Sequence, residues 1–459
     1  MKLLIILSAT LLSGLSKGQS NFARDSAMVS SIYQEVLAHG ECHENLHFLC
    51  KNIGNRLGGS LSAERAIDWG KSLCESYGFD RVFLMPVEVS HWERGGVEKG
   101  SYKTSGKTVK LPITALGGSV GTNGKITAEV VAVKTFDELK DLGREKVEGK
   151  IVFFNRPMDP LAINTGAAYG NNYEIRGSGP AEAAKYGAVG CIIRSLSTAD
   201  DRFPHTGATE YQDGFPKIPG AALSVVDSRA LGQALQADPH LRFTLELSCE
   251  LLPRVQQHNV IAEITGTEFP DQYIVVGGHL DSWDIGEGAH DDGAGIVQSI
   301  EVLRTLKAIG YRPLHTIRAV LFINEEFGND GGETYASAMK SEGRVHVAAL
   351  ESDGGGFTPR GFSMQGTDAQ YELFRSWSTL LEPYNLFAFR RGGSGTDIGP
   401  LKDDRVALFG LTVDSQRYFD FHHSANDIWE NVNKRELEMG AAAMASLIYL
   451  LDQTGIPAE

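Results

Sequence analysis

The chain has no Cys-x-x-Cys pair among its five cysteines, Cys42, Cys50, Cys74, Cys191 and Cys249. That excludes a cysteine zinc cluster, and the odd number leaves at least one thiol unpaired within the monomer. Cys42 and Cys50 are expected on one helix, where eight residues span ~12 Å, beyond disulfide reach. Most of the five are therefore expected to be small buried hydrophobes. A basic cluster is also missing, and the net charge of −15 argues against a nucleic-acid backbone as partner. There is no repeat and no low-complexity tract, and a hydrophobic content of 42% argues against global disorder. No Asn-x-Ser/Thr acceptor occurs, so no N-linked glycan is expected. Beyond the N-terminus no apolar run is long enough to span a bilayer.

What is present begins with a leader. Met1-Lys2, then Leu3-Leu4-Ile5-Ile6-Leu7 and Leu11-Leu12, read as a signal peptide over residues 1–18. Cleavage is expected between Ser16 and Ser20. Gly455-Ile456-Pro457-Ala458-Glu459 carries no retention signal. The expected location is secreted or lumenal, which covers the extracellular space, Golgi and lysosome, without a stable membrane anchor.

Five acid or histidine sites then follow in order. The run Asp271-Gln272-Tyr273-Ile274-Val275-Val276-Gly277-Gly278 reads as a buried strand, and His279 and Asp281 follow it. If the chain stays extended, these two point to one face, so Asp281 could hold the second imidazole nitrogen of His279. Asp291 and Asp292 sit in a glycine-flanked turn before a helix expected from Gly293 to Leu306. A strand from Thr316 to Ile323 delivers Glu325 and Glu326. Another, from Val345 to Leu350, delivers Asp353. His422 and His423 come late, in His-Ser-x-x-Asp spacing that ends at Asp427.

Each piece alone has a plain reading. Glu325-Glu326 could be a solvated helix start, Asp353 a turn or cap residue, and His422-His423 core histidines beside Phe419 and Phe421. Together they are a different matter. Sites in open α/β sheets form outside the carboxyl ends of strands. Carboxylates deposited there by several strands would repel one another, and a dication removes that repulsion. Mixed imidazole and carboxylate donors suit zinc, with manganese or cobalt as alternatives. No nucleophilic serine or cysteine motif lies beside them.

This set resembles the co-catalytic two-zinc exopeptidases, the family of bacterial leucyl aminopeptidases and glutamate carboxypeptidase, and most closely its carboxypeptidase Q (plasma glutamate carboxypeptidase) branch. Gly54-Asn55-Arg56-Leu57-Gly58-Gly59-Ser60 resembles an early family segment. His91-Trp92-Glu93-Arg94-Gly95, Pro204-His205-Thr206-Gly207, Glu210-Tyr211-Gln212-Asp213-Gly214, Lys217-Ile218-Pro219 and Gly395-Thr396-Asp397 look like the branch itself. The resemblance implies two zinc ions per chain, one on His279 and Asp353, the other on Glu326 and His423, with Asp291 bridging. It implies Glu325 as general base and Asp281 as the residue orienting His279. It further implies short peptide substrates, unsubstituted dipeptides above all, and a homodimer. Two alternatives stand beside it: a single-zinc glutaminyl cyclase, which shares the fold, and a non-catalytic binding paralogue, which would normally have lost ligands.

The expected fold class is α/β. A mixed central sheet flanked by helices, the two-zinc exopeptidase fold, carries an inserted protease-associated-like α/β domain. Residues 22–123 and 249–459 are assigned to the catalytic part and 124–248 to the insert, which holds no ligand cluster and is expected to wall or lid the site. Helices are expected from about Phe22 to Tyr77, from Ala181 into Lys185, and from Arg435 to Leu451.

Overall fold

The computed structural model describes residues 2–403 and 405–457, with side chains from Asn21 onward. The leader expected over residues 1–18 therefore falls outside the described side chains. No helix of the described residues is long and apolar enough to cross a membrane.

Two eight-stranded mixed sheets organise the chain. The first runs in the order Arg81–Glu93, Glu250–Ile264, His315–Phe322, Phe269–His279, Val345–Glu351, Ala407–Val413, Pro359–Gln365, Ala388–Arg391. Its four inner strands, from His315–Phe322 to Ala407–Val413, are parallel. Their sequences explain this. Every residue of His315–Phe322 is buried, and so is Tyr273 through His279, as expected for strands covered on both faces. One charge lies inside: Arg318 donates to Glu263 on the neighbouring strand (2.5 Å) and lies 4.0 Å over the ring of Tyr273.

Helices cover both faces. Ala294–Ala308 packs between this sheet and Lys434–Thr454, with Ile296, Val297, Ile300 and Leu303 in the main apolar core. Asn433 caps the last helix by accepting from Glu436 N, and Ser60 caps Leu61–Ser76 by accepting from Ala63 N. The five cysteines are all free and buried, where the sequence leads one to expect most of them buried.

The second sheet runs Lys107–Leu111, Glu98–Thr104, Arg242–Leu247, Ile126–Val133, Ile151–Phe154, Gly190–Arg194, Gly220–Leu223, Ile113–Ala115. It starts earlier than the boundary expected at residue 124. Glu98–Thr104 pairs with Arg242–Leu247, so residues from 98 onward belong to it. Gly95-Gly96 marks only a turn after the preceding strand, and nothing in these short strands says which sheet they join. The helix expected from Ala181 begins at Thr165. Its first part, Thr165-Gly166-Ala167-Ala168-Tyr169-Gly170-Asn171-Asn172, is rich in glycine and asparagine and lacks an apolar period, and Pro180 lies inside it.

Candidate metal centre

Parallel strands place the acidic residues at one spot. His279 is the last residue of Phe269–His279. Its neighbours in the sheet end at Phe322 and Glu351, and the chain beyond them carries Glu325, Glu326 and Asp353. Asp291 sits just ahead of Ala294–Ala308. His422 and His423 follow the short helix Tyr418–Phe421.

The two carboxylate oxygens of Asp291 face two different histidines. Oδ1 lies 3.3 Å from His279 Nε2, and Oδ2 lies 3.3 Å from His423 Nε2. On the first side Asp353 Oδ1 is 3.4 Å from His279 Nε2. On the second, Glu326 Oε2 is 3.0 Å from His423 Nε2. His422 stacks on His423 with ring centres 3.5 Å apart, but its Nε2 stays 3.8 Å from Asp291. His423, not His422, thus reaches both Asp291 and Glu326.

Each inward-facing histidine is held from behind by a main-chain carbonyl. His279 Nδ1 meets the carbonyl of Asp281 at 3.1 Å, and His423 Nδ1 meets that of Thr206 at 3.2 Å. This is the outer contact that fixes the tautomer of a ligating imidazole. Asp281 corrects one expectation. Its carboxylate does not hold His279, lying 3.8 Å from Nδ1, and instead accepts from the amides of Glu325 (3.0 Å) and Glu326 (3.3 Å). The chain bends at Leu280, just past the strand, and the Asp281 carbonyl takes the ring nitrogen. The carboxylate is then free to fix the main chain of the two glutamates.

Other residues the sequence reading did not single out for positioning do similar work. Asp292 accepts from His279 N (3.1 Å) and Gly295 N (2.9 Å). Asp427 accepts from the amides of His290 (2.7 Å) and Asp291 (3.1 Å). His423 itself has a φ of +59°, in the left-handed region, and its carbonyl accepts from Thr206 N at 2.9 Å. The motif spacing around Asp427 and the Pro204–Gly207 segment were the available signals for two of these contacts.

The electrostatics suit a cation. Burial pulls the His279 imidazole down, but its hydrogen bonds to Asp291 and Asp353 outweigh that and hold it well above the usual histidine range. The field that favours a proton there favours a dication as well. Burial pushes the Glu326 carboxyl well up, with Asp291 adding to it. His423 is driven well below the usual range, by burial and then by His422, so its nitrogen is a free donor. Asp291 Oδ2 and Glu326 Oε1 are buried without a hydrogen-bond partner. Unpartnered oxygens on buried acidic residues that converge with the neutral His423 imidazole and with His279 are what a zinc ion satisfies, so the residues fit the metal. Glu325 is only partly covered and stands beside this set. Burial lifts its carboxyl to about 7; His279 opposes this, and Asp353, Asp281 and Asp291 reinforce it.

Comparison with known proteins agrees. Residues 259–448 match the model of peptidase family M28. Carboxypeptidase Q of Bos taurus is 37% identical over 415 residues, covering 90% of this chain and 86% of that one. The peptidase M28 precursor from Shewanella amazonensis superposes with a TM-score of 0.90 at 32% identity, covering 95% of this chain and 98% of that one. A zinc aminopeptidase from Bacillus subtilis, at 19% identity and a TM-score of 0.64 over 91% of this chain and 96% of that one, shares the fold. The chain belongs to peptidase family M28, as a zinc metallo-exopeptidase of the carboxypeptidase Q type.

Proposed function

We propose that this enzyme hydrolyses short peptides with a free amino end, dipeptides above all, using two zinc ions per chain. The observation that carries the reading is the division of Asp291 between His279 and His423. In this reading His279 and Asp353 hold one ion, Glu326 and His423 the other, and Asp291 serves both. When bound, the ions supply Lewis acidity to the scissile carbonyl and to the attacking water.

Glu325 takes the proton of that water at a carboxylate oxygen and returns it to the leaving amine. A carboxyl lifted to about 7 suits both halves of that task near neutral pH. Asp281 fixes the Glu325 amide, which sets where that carboxylate points. Thr206 and His205, from the second sheet's side of the chain, hold the carbonyls or rings of the His422–His423 loop and help keep bulk water out. Secretion or passage into a lumen, and assembly as a homodimer, complete the proposal on the strength of the leader and the resemblance.

Metal analysis of the purified protein should approach two zinc ions per chain. A chelator should abolish dipeptide turnover, and added zinc should restore it. Acetylating the amino end should cost a large factor in kcat/KM. Full activity without metal would overturn the reading. A single zinc with no dipeptide turnover would favour the cyclase instead. Equal turnover of the acetylated peptide would indicate a true carboxypeptidase.

A further inference from the structure

Four arginines are buried among the described residues, Arg56, Arg94, Arg176 and Arg318. Three are satisfied. Arg56 donates to the carbonyls of Leu280 (2.5 Å), Glu287 (2.7 Å) and Gly288 (2.9 Å). Arg94 pairs with Asp284 and Glu98. Arg318 pairs with Glu263.

Arg176 differs. It is 4% exposed, and its Nε has no hydrogen-bond partner. Among the described residues no carboxylate pairs with it. Its Nη1 lies 3.2 Å from His423 Nδ1. That nitrogen also meets the Thr206 carbonyl, and once Nε2 is given to a zinc ion, as proposed above, its proton goes to Thr206. Arg176 then faces a donor rather than an acceptor. Its other neighbours are the rings of Tyr169 and Tyr173, 5.5 and 4.9 Å from the guanidinium carbon. Ring faces attract a cation, and the Tyr169 hydroxyl gives it at most a neutral acceptor, not an anion. A Cβ at Gly207, where φ is +134°, would collide with this guanidinium, so glycine there leaves room for it.

A buried guanidinium without an anion is costly, and the partner its planar fork fits is a carboxylate. We infer that Arg176 binds the C-terminal carboxylate of the substrate, so that the site reads a free carboxyl end one residue beyond the scissile bond. This rests on the peptide hydrolysis proposed above. The reach agrees. One imidazole ring separates Arg176 from the Asp291 and Glu326 carboxylates. In a peptide, the scissile carbonyl carbon and the next one are joined by three bonds of about 1.33, 1.46 and 1.52 Å. Each further residue of an extended leaving group carries the terminus about 3.3–3.6 Å farther, past the guanidinium. A substrate losing a single C-terminal residue fits, and with the amino-end requirement that substrate is a dipeptide. The group that reads it comes from the helix Thr165–Lys185, outside the catalytic sheet.

The test compares a dipeptide with its C-terminal amide, both with free amino ends, on zinc-loaded enzyme. Hydrogen bonds to a charged group predict that kcat/KM favours the acid by about 10- to 100-fold. Arg176→Gln should bring that ratio toward one, chiefly by raising KM for the acid, and Arg176→Lys should keep part of it. Zinc content is measured for each variant. Equal turnover of acid and amide by the unaltered enzyme would overturn the inference, whether or not a variant folds. So would an Arg176→Gln enzyme that loses zinc and both activities in proportion, because Arg176 would then only position His423. Failure of the unaltered zinc enzyme on both substrates would instead sink peptide hydrolysis itself.

Discussion

Each sheet contains four adjacent parallel strands, and the residues just beyond their carboxyl ends differ in kind. In the first sheet they include Glu325, Glu326 and Asp353, next to His279. In the second they include Ser195 and Ser224. The serines are fully used by the fold. Ser195 Oγ donates to the Leu223 carbonyl (2.7 Å) and accepts from His205 N (2.8 Å). Ser224 Oγ accepts from Asp227 N (3.0 Å), capping the helix Val225–Ala237. In the first sheet's site, Asp291 Oδ2 and Glu326 Oε1 are left without hydrogen bonds. All three groups of convergent ligand donors found among the described residues lie there. The shared topology supplies a place for a site, and convergent ligand donors make it one: the second sheet leaves Asn155 Oδ1 unpartnered just beyond Phe154, but no group of ligand donors found among the described residues includes it.

The sharpest way to break that contrast is at the two adjacent glutamates. Glu325→Gln should keep zinc and lose about 10²–10⁴-fold in kcat, the usual range for a general base. Glu326→Gln should weaken zinc binding instead. Zinc content and kcat measured on both variants decide it. Similar metal loss and similar residual activity in the two would erase the distinction between base and ligand.

A smaller effect separates the stacked histidines. His423→Ala should lower zinc occupancy, because only its Nε2 reaches both Asp291 and Glu326. His422→Ala should leave the metal in place and disturb the packing against Tyr169 and Phe419. Zinc titration of the two variants is the measurement, and the reverse ranking would reassign the ligand.

Much of this site was legible because strand ends leave a strong trace. Buried β-branched runs stop at His279, just before Glu325 and just before Asp353, so the order of the sequence announces convergence. The use of Asp281 was not legible, since extended geometry predicts a carboxylate contact where the chain turns and offers a carbonyl. Arg176 was hidden for a different reason. Its helix has no apolar period in the glycine- and asparagine-rich first half, and its partner His423 lies 247 positions away. Nor do the strands at 98–115 carry a signal that assigns them to the second sheet rather than the first. Pairing partners distant in sequence decide that.

The smallest predicted effect tests the other half of the contrast, a buried carboxylate that is fully satisfied. Asp452, near the end of Lys434–Thr454, accepts from Tyr311 Oη (2.5 Å), Leu314 N (2.9 Å), His315 N (2.8 Å) and His315 Nδ1 (2.9 Å). It ties that helix to the start of the strand His315–Phe322. Burial pushes its carboxyl up, but the donors, His315 first and then Tyr311, outweigh burial and hold it below the usual range. A depressed carboxyl stabilises the folded state above its unfolded pKa of about 3.9, and that contribution disappears as pH falls through the lower folded value. Asp452→Asn should therefore cost about 1.5–3 kcal/mol near neutral pH, the range for hydrogen bonds to a charged group. The gap between the two proteins should begin to close as pH drops below about 4, where the unfolded carboxyl takes up its proton, and finish closing below the lower native value. Urea unfolding of both proteins across that range measures the gap, and loss of metal at low pH affects both alike. A gap that stays constant or widens on acidification would mean that charge on Asp452 does not stabilise the fold. Zinc content should be unchanged at neutral pH, because Asp452 serves the scaffold and not the metal centre.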